Sequence, residues 1–231
     1  MNISDNIKSI RDLINQTESS ANRTPGSVLL LAVSKQQSVE TISEAFKHGI
    51  IDFGENYFQE AEKKITQLKN APIKWHFIGP IQSNKAKNIA SLFSWVHSID
   101  RIKVATLLSE SRPLNLPPLN VCLQINLTSE ATKSGVSSEE AMDLAYAVSL
   151  LPNLNLRGLM TIPPPLNDVQ EQYQLFLQLK QLMQLINQQL NLNMDTLSMG
   201  MSDDLIPAIQ AGATIVRVGQ AIFGTRQGTS R

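Results

Sequence analysis

Eight short apolar runs recur along this chain, at residues 28–33, 50–53, 73–78, 94–98, 119–126, 154–160, 195–198 and 214–218. Between them lie stretches with helical spacing, at 38–48, 56–69, 83–93, 101–111, 137–151, 168–190 and 203–211. Strands that alternate with helices pair in parallel, and the crossover helices leave them buried on both faces. Eight of them within 231 residues predict an α/β fold, a closed (β/α)8 TIM barrel forming one domain over 1–231. An open doubly wound sheet is the alternative.

Ile3, Ile7, Ile10 and Ile14 fall on one helical face, so an additional N-terminal helix is expected over residues 1–24, ended by Thr24-Pro25-Gly26. Thirteen residues follow the last strand, so this helix is expected to pack on the barrel where a full eighth helix would otherwise lie. The Gln- and Leu-rich stretch 168–193 looks like low complexity, but Phe176, Leu179, Met183, Ile186 and Leu190 keep a helical period and predict a long amphipathic helix.

Twenty Lys plus Arg balance twenty Asp plus Glu with no long run of one sign, which argues against a nucleic-acid or anionic-membrane partner. No apolar stretch approaches the ~18 residues of a spanning helix, and the N-terminus has no apolar signal core. A soluble, cytoplasmic protein is expected. Cys122 is the only cysteine and sits in an apolar run, where a packed core thiol is the default.

In a barrel, functional groups gather where strands lead into helices. Lys35 ends the first predicted strand, Asn56 follows the second, His76 ends the third, Ser198 to Ser202 follow the seventh and Gly219 follows the eighth. In 198-SMGMSDDLIPAI-209, serines and a glycine precede a helix with Asp203 and Asp204 in its expected first turn. Simple capping by Ser202 accounts for that pattern; an anion bound by free backbone N–H groups is the other explanation. Gly219 would let backbone approach a ligand, and loops after the last two strands of such barrels recurrently hold phosphate.

Arg217, inside the last strand, needs a carboxylate or a ligand heteroatom as acceptor. Lys35 is either a solvated strand end or a partly desolvated amine able to capture an aldehyde. Lysine, phosphate cradle and arginine together meet the needs of pyridoxal 5'-phosphate (PLP). His76 alone, without a cluster at metal-ligand spacing, predicts no metal site. The turn Gly79, Gln82, Ser83 and Asn84 is expected to be structural, with Ser83 or Asn84 capping the helix after it; facing the ligand is the alternative.

Several segments together resemble the PLP homeostasis proteins, the YggS/PROSC family: A-V-S-K at 32–35, F-G-E-N-Y at 53–57, W-H-F-I-G at 75–79, Q-S-N-K at 82–85, K-S-G at 133–135, R-G-L-M-T-I-P at 157–163, L-S-M-G-M-S-D-D at 197–204 and R-V-G-Q-A-I-F-G at 217–224. The resemblance implies a barrel similar to the N-terminal domain of alanine racemase, with PLP as cofactor in a Schiff base to Lys35 and with Arg217 facing the pyridine nitrogen. It places Ser198, Met201, Ser202, Gly219 and Gln220 around the phosphate, and Asn56 and His76 near the cofactor. It leaves open which of Ser198 and Ser202 is closer. Gln220 departs from the Thr or Ser usual at that position, which would spare a backbone contact and lose a hydroxyl one. Lys133 matches a family lysine with a secondary role in handling PLP.

A racemase needs proton-transfer groups on both faces of its substrate, and the residues after the last strand leave no room for the second domain that supplies one in alanine racemase. An arginine opposite the ring nitrogen also weakens the electron sink. The resemblance therefore implies a monomeric, non-catalytic PLP carrier in vitamin B6 homeostasis, with apo PLP enzymes as recipients. A single-domain PLP racemase or lyase is the alternative, and a barrel binding some other phosphate is a third.

Overall fold

The structure, a computed structural model, describes residues 2–128 and 134–224. Its strands are β1 (Leu29–Val33), β2 (Asp52–Glu55), β3 (Lys74–Phe77), β4 (Trp95–Ile99), β5 (Leu119–Gln124), β6 (Leu154–Met160), β7 (Thr196–Ser198) and β8 (Ile215–Val218). The helices are α1 (Ile3–Ser20), α2 (Val39–Lys47), α3 (Phe58–Gln67), α4 (Ala86–Leu92), α5 (Ile102–Ser111), α6 (Ala141–Ser149), α7 (Val169–Leu190), α8 (Leu205–Ala211) and α9 (Gln220–Phe223). A single 3₁₀ turn, Ser83–Lys85, leads into α4. All the strands pair in parallel in sequence order, and β8 closes on β1 with Leu31 opposite Arg217. The closed barrel expected from the alternation is therefore present, and the open sheet is excluded.

Closure gives β1 two different neighbours. Leu31 packs with Ile78 and Ile215, flanked by Leu29, Val33 and Trp95, inside the barrel. Ala32 belongs instead to the large cluster between barrel wall and helices, which also buries Phe53, Phe77, Phe93 and Phe176. Full burial of such side chains contributes roughly 1.5–3 kcal/mol each. Both faces of the strand are thus covered, and the period of two sends Leu29, Leu31, Val33 and then Lys35 toward the interior.

The N-terminal helix stops at Ser20, short of the expected 24, because Asn22 takes a left-handed conformation (φ 52°). Ile7, Ile10 and Ile14 are buried, and Asn6 Nδ2 donates to the Ile222 carbonyl of α9 at 2.8 Å. Arg23 donates to the carbonyls of Ile209 and Ala213. Buried Glu18 accepts from Gly26 N, Ser27 Oγ and Val28 N, which ties the helix end to the start of β1. In this way α1 packs on α8 and α9, in the place expected for it.

The Gln-rich stretch is one helix, α7, begun by the Asp168 side chain accepting from Glu171 N and buried along Phe176, Leu179, Met183 and Ile186. Cys122 is wholly buried, and burial pushes its thiol up to about 12, so it stays protonated and inert at neutral pH. No helix among the described residues is long and apolar enough to cross a membrane.

Candidate functional site

At the C-terminal end of the barrel a cavity of about 300 Å³ is lined by Val33, Lys35, Asn56, Ile78, Ile162, Met201, Ser202, Asp203, Arg217, Gly219 and Gln220. Seven of the residues expected at the rim therefore share one wall: Lys35, Asn56, Met201, Ser202, Arg217, Gly219 and Gln220. A roomier cleft of about 420 Å³ lies at the opposite end, beside Arg11, Asp52 and Thr214, but its wall carries no lysine. Chemistry rather than size singles out the first.

Close backbone approaches shape this cavity. A Cβ on Gly219 would come within 3.1 Å of the Val33 carbonyl oxygen, so the glycine lets the end of β8 fold against the end of β1, beside Lys35. A Cβ on Gly79 would run into the carbonyl of Asn56, so that glycine fixes how Asn56 sits over β3. The Asn56 Oδ1 is buried with no hydrogen-bond partner, a polar group a ligand could satisfy. Intrahelical bonding in α9 begins with Ile222 and Phe223 donating to the Gly219 carbonyl, which leaves the N–H groups of Gln220 and Ala221 before it.

Arg217 is buried at 4% exposure and donates from Nη1 to the Ser198 carbonyl (2.6 Å) and Ser198 Oγ (3.0 Å), and from Nη2 to the Thr161 carbonyl (2.9 Å). The acceptor it needs is therefore backbone and hydroxyl, and no described carboxylate pairs with it directly. Burial lowers its pKa to about 10, with Asp204 opposing, so it remains a cation at neutral pH. Its Nε–H and second Nη2–H are left for other acceptors. A buried cation without a contacting anion, on a cavity wall, favours an anionic ligand.

The two serines separate here. Ser202 is on the cavity wall, whereas Ser198 lies wholly buried beneath Arg217. Ser202 does not cap α8: the helix starts at Leu205, and the Asp204 carboxylate accepts from Met201 N, closing the turn ahead of it. Asp203 and Asp204 thus precede the helix instead of occupying its first turn. His76 is likewise off the wall, fully buried inside the barrel.

Together these two residues belong to a chain that the sequence did not reveal. Ser198 Oγ meets His97 Nδ1 at 2.7 Å, His97 Nε2 meets His76 Nδ1 at 2.9 Å, and His76 Nε2 meets Asp52 Oδ1 at 3.0 Å. Arg217 can only donate and the Asp52 carboxylate only accept, so with one proton on each imidazole every bond can run one way, Arg217 to Ser198 to His97 to His76 to Asp52. In that arrangement both imidazoles are neutral. Burial lowers both pKa values, His97 well below its ordinary range, with His76 and Arg217 adding to the effect on His97. The missed signal was parity: His97 lies on β4 just as His76 lies on β3, each one residue or two beyond a tryptophan.

A pH dependence follows. Unfolded, both histidines take up protons near pH 6.5, while in the folded barrel they resist doing so. Their contribution is complete above that pH and is lost as pH falls below it, at up to about 1.4 kcal/mol per pH unit for each. Urea titrations between pH 8 and pH 5 should show His97→Gln losing less stability on acidification than the unaltered chain. Equal losses in both would refute the assignment of neutral buried imidazoles.

Among the described residues no group of three or more His, Cys, Asp or Glu is placed to hold a metal ion. Lys133 lies outside the described residues.

The family model described as alanine racemase, N-terminal domain, matches residues 3–227. A pyridoxal phosphate homeostasis protein of Pseudomonas aeruginosa is 53% identical over 97% of this chain and 96% of its own length. This chain belongs to the pyridoxal phosphate homeostasis protein family. The relative of that name in Escherichia coli K12 is 44% identical, with 97% of each chain covered. PipY of Synechococcus elongatus, a structure solved with PLP bound, is 34% identical with a TM-score of 0.85, covering 96% of this chain and 100% of its own. Alanine racemase from Corynebacterium glutamicum, 17% identical with a TM-score of 0.71, shares the fold, and this chain spans 63% of it. The family's barrel is thus common to a longer enzyme and to proteins of this length.

Proposed function

We propose that this chain binds PLP and acts in the cytoplasm as a single-domain, non-catalytic carrier in vitamin B6 homeostasis. The observation that carries this is Lys35 sharing a cavity wall with Arg217, a buried cation with no carboxylate in contact. When bound, the cofactor supplies an aldehyde that a lysine amine captures reversibly. Lys35 is the residue that would hold it, and Val33, Ile78, Ile162 and Met201 provide apolar walls that exclude water from a planar ring. Arg217 would donate a hydrogen bond to the ring nitrogen while keeping its own proton, since its pKa stays near 10. Ser202, Gly219 and Gln220 line the side where the phosphate would lie, and Asn56 would satisfy its buried amide there.

The same wall argues against turnover. Proton transfer on two faces needs a second titratable group opposite Lys35, and among the described residues the cavity offers no tyrosine or histidine, only the Asp203 carboxylate. His76 and His97 have both nitrogens engaged in the buried chain. Holoprotein incubated with a panel of L- and D-amino acids is expected to form no more product than free PLP does, and to pass its PLP to an apo PLP enzyme. Turnover above that control which disappears in Lys35→Ala would establish a racemase or lyase instead.

A further inference from the structure

Lys35 is bracketed by a charged cluster outside the barrel. Lys64 of α3 is 5% exposed, and its ammonium donates to the Ser34 carbonyl (2.7 Å), Glu55 Oε1 (2.7 Å) and Glu60 Oε1 (2.6 Å). All its N–H groups are thereby used. Ser34 Oγ donates to the same Glu55 oxygen, and the backbone N–H of Gln36 donates to the same Glu60 oxygen. The residue before Lys35 and the residue after it are therefore both tied to this cluster. Gln36 is held at φ 63°, a conformation costing a side-chain-bearing residue about 1 kcal/mol or more unless its surroundings impose it.

Stability alone is a poor reason for such a cluster. Glu55 is fully buried, burial raises its carboxyl pKa against the pull of Lys64, and its second oxygen has no partner. Apolar side chains of similar volume would hold α3 on the barrel as well or better. What they could not do is bond the Ser34 carbonyl and the Gln36 N–H. Those two bonds fix the turn from which Lys35 reaches into the cavity.

We propose that Lys64, with Glu55 and Glu60, is a positioning residue for the PLP-holding lysine: the cluster sets the Lys35 turn and thereby slows cofactor release. This rests on the PLP reading above. The test compares Lys64→Met, Glu60→Ala and, as a control on the same helix, Lys63→Met. Release of PLP from holoprotein to hydroxylamine is followed by visible absorbance, and melting is measured for apo and holo forms.

Lys64→Met and Glu60→Ala should release PLP about ten-fold faster or more, with a smaller gain in melting temperature on PLP binding, while borohydride still labels Lys35. Lys63→Met should match the unaltered chain. The Glu60 side chain is 29% exposed, so its variant is expected to fold even if Lys64→Met does not. Release within about two-fold of the unaltered chain, with apo and holo melting lowered equally, would reduce the cluster to a structural role and overturn the proposal. If the unaltered chain captures no PLP, the parent reading fails instead.

Discussion

Lys35→Ala should abolish covalent capture of PLP while leaving the barrel intact. The side chain is half-buried at the cavity mouth, two residues beyond Val33, the last interior contact of β1, so its truncation removes no core packing. Stability should change by less than about 1 kcal/mol, as for substitutions outside the core. Borohydride reduction of the unaltered holoprotein, followed by peptide mapping, should place one phosphopyridoxyl group on Lys35 and none in the variant. Weak PLP binding should persist in Lys35→Ala, because Arg217 and the small residues of the wall remain. A label on any other lysine would break the assignment, since among the described residues nothing else on that wall is an amine.

Arg217→Met should damage both stability and binding. The methionine fills part of the volume but leaves the Thr161 carbonyl without its Arg217 donor, leaves the Ser198 carbonyl only the longer bond from Thr161 N, and removes the donor to Ser198 Oγ. Unsatisfied buried acceptors cost about 1–3 kcal/mol each. Removing a buried cation returns some of that, so a net loss of about 2–3 kcal/mol in urea unfolding is expected. PLP should bind far more weakly, since among the described residues the only cation on the wall besides Lys35 is gone. The loss also removes a positive charge that depresses the His97 pKa, so the part of acid destabilisation that comes from His97 should be smaller than in the unaltered chain. A variant as stable and as PLP-competent as the parent would show that the Arg217 anchors carry no weight.

Much of the architecture was legible because periodicity is local. Each predicted apolar run from 28–33 to 214–218 became a strand of the closed barrel, and each intervening stretch supplied a helix. Errors fell at the ends, where Asn22 stops α1 early and Asp204 delays α8. These are choices between nearly equal local hydrogen bonds, which composition does not rank. Of the site residues, Lys35, Asn56, Gly219 and Gln220 lie one or two positions beyond a strand and share the rim because strand ends meet there, joined by Met201 and Ser202 from the loop after β7 and by Arg217 from within β8. Ser198 and His76, still within their strands, fall below it.

The run L-L-L-A-V-S-K by itself determined a strand buried on both faces whose period of two ends on Lys35. Only the closed barrel decided what surrounds that lysine. Pairing of β8 with β1 sets Leu31 opposite Arg217. Hydrogen bonds across 101 residues join His97 to Ser198, and others across 30 join Lys64 to Ser34. Such partners depend on register and closure, which place inward side chains from distant strands in one layer. Pattern along the chain constrains each strand's faces, but not which other strand's residue stands across from them.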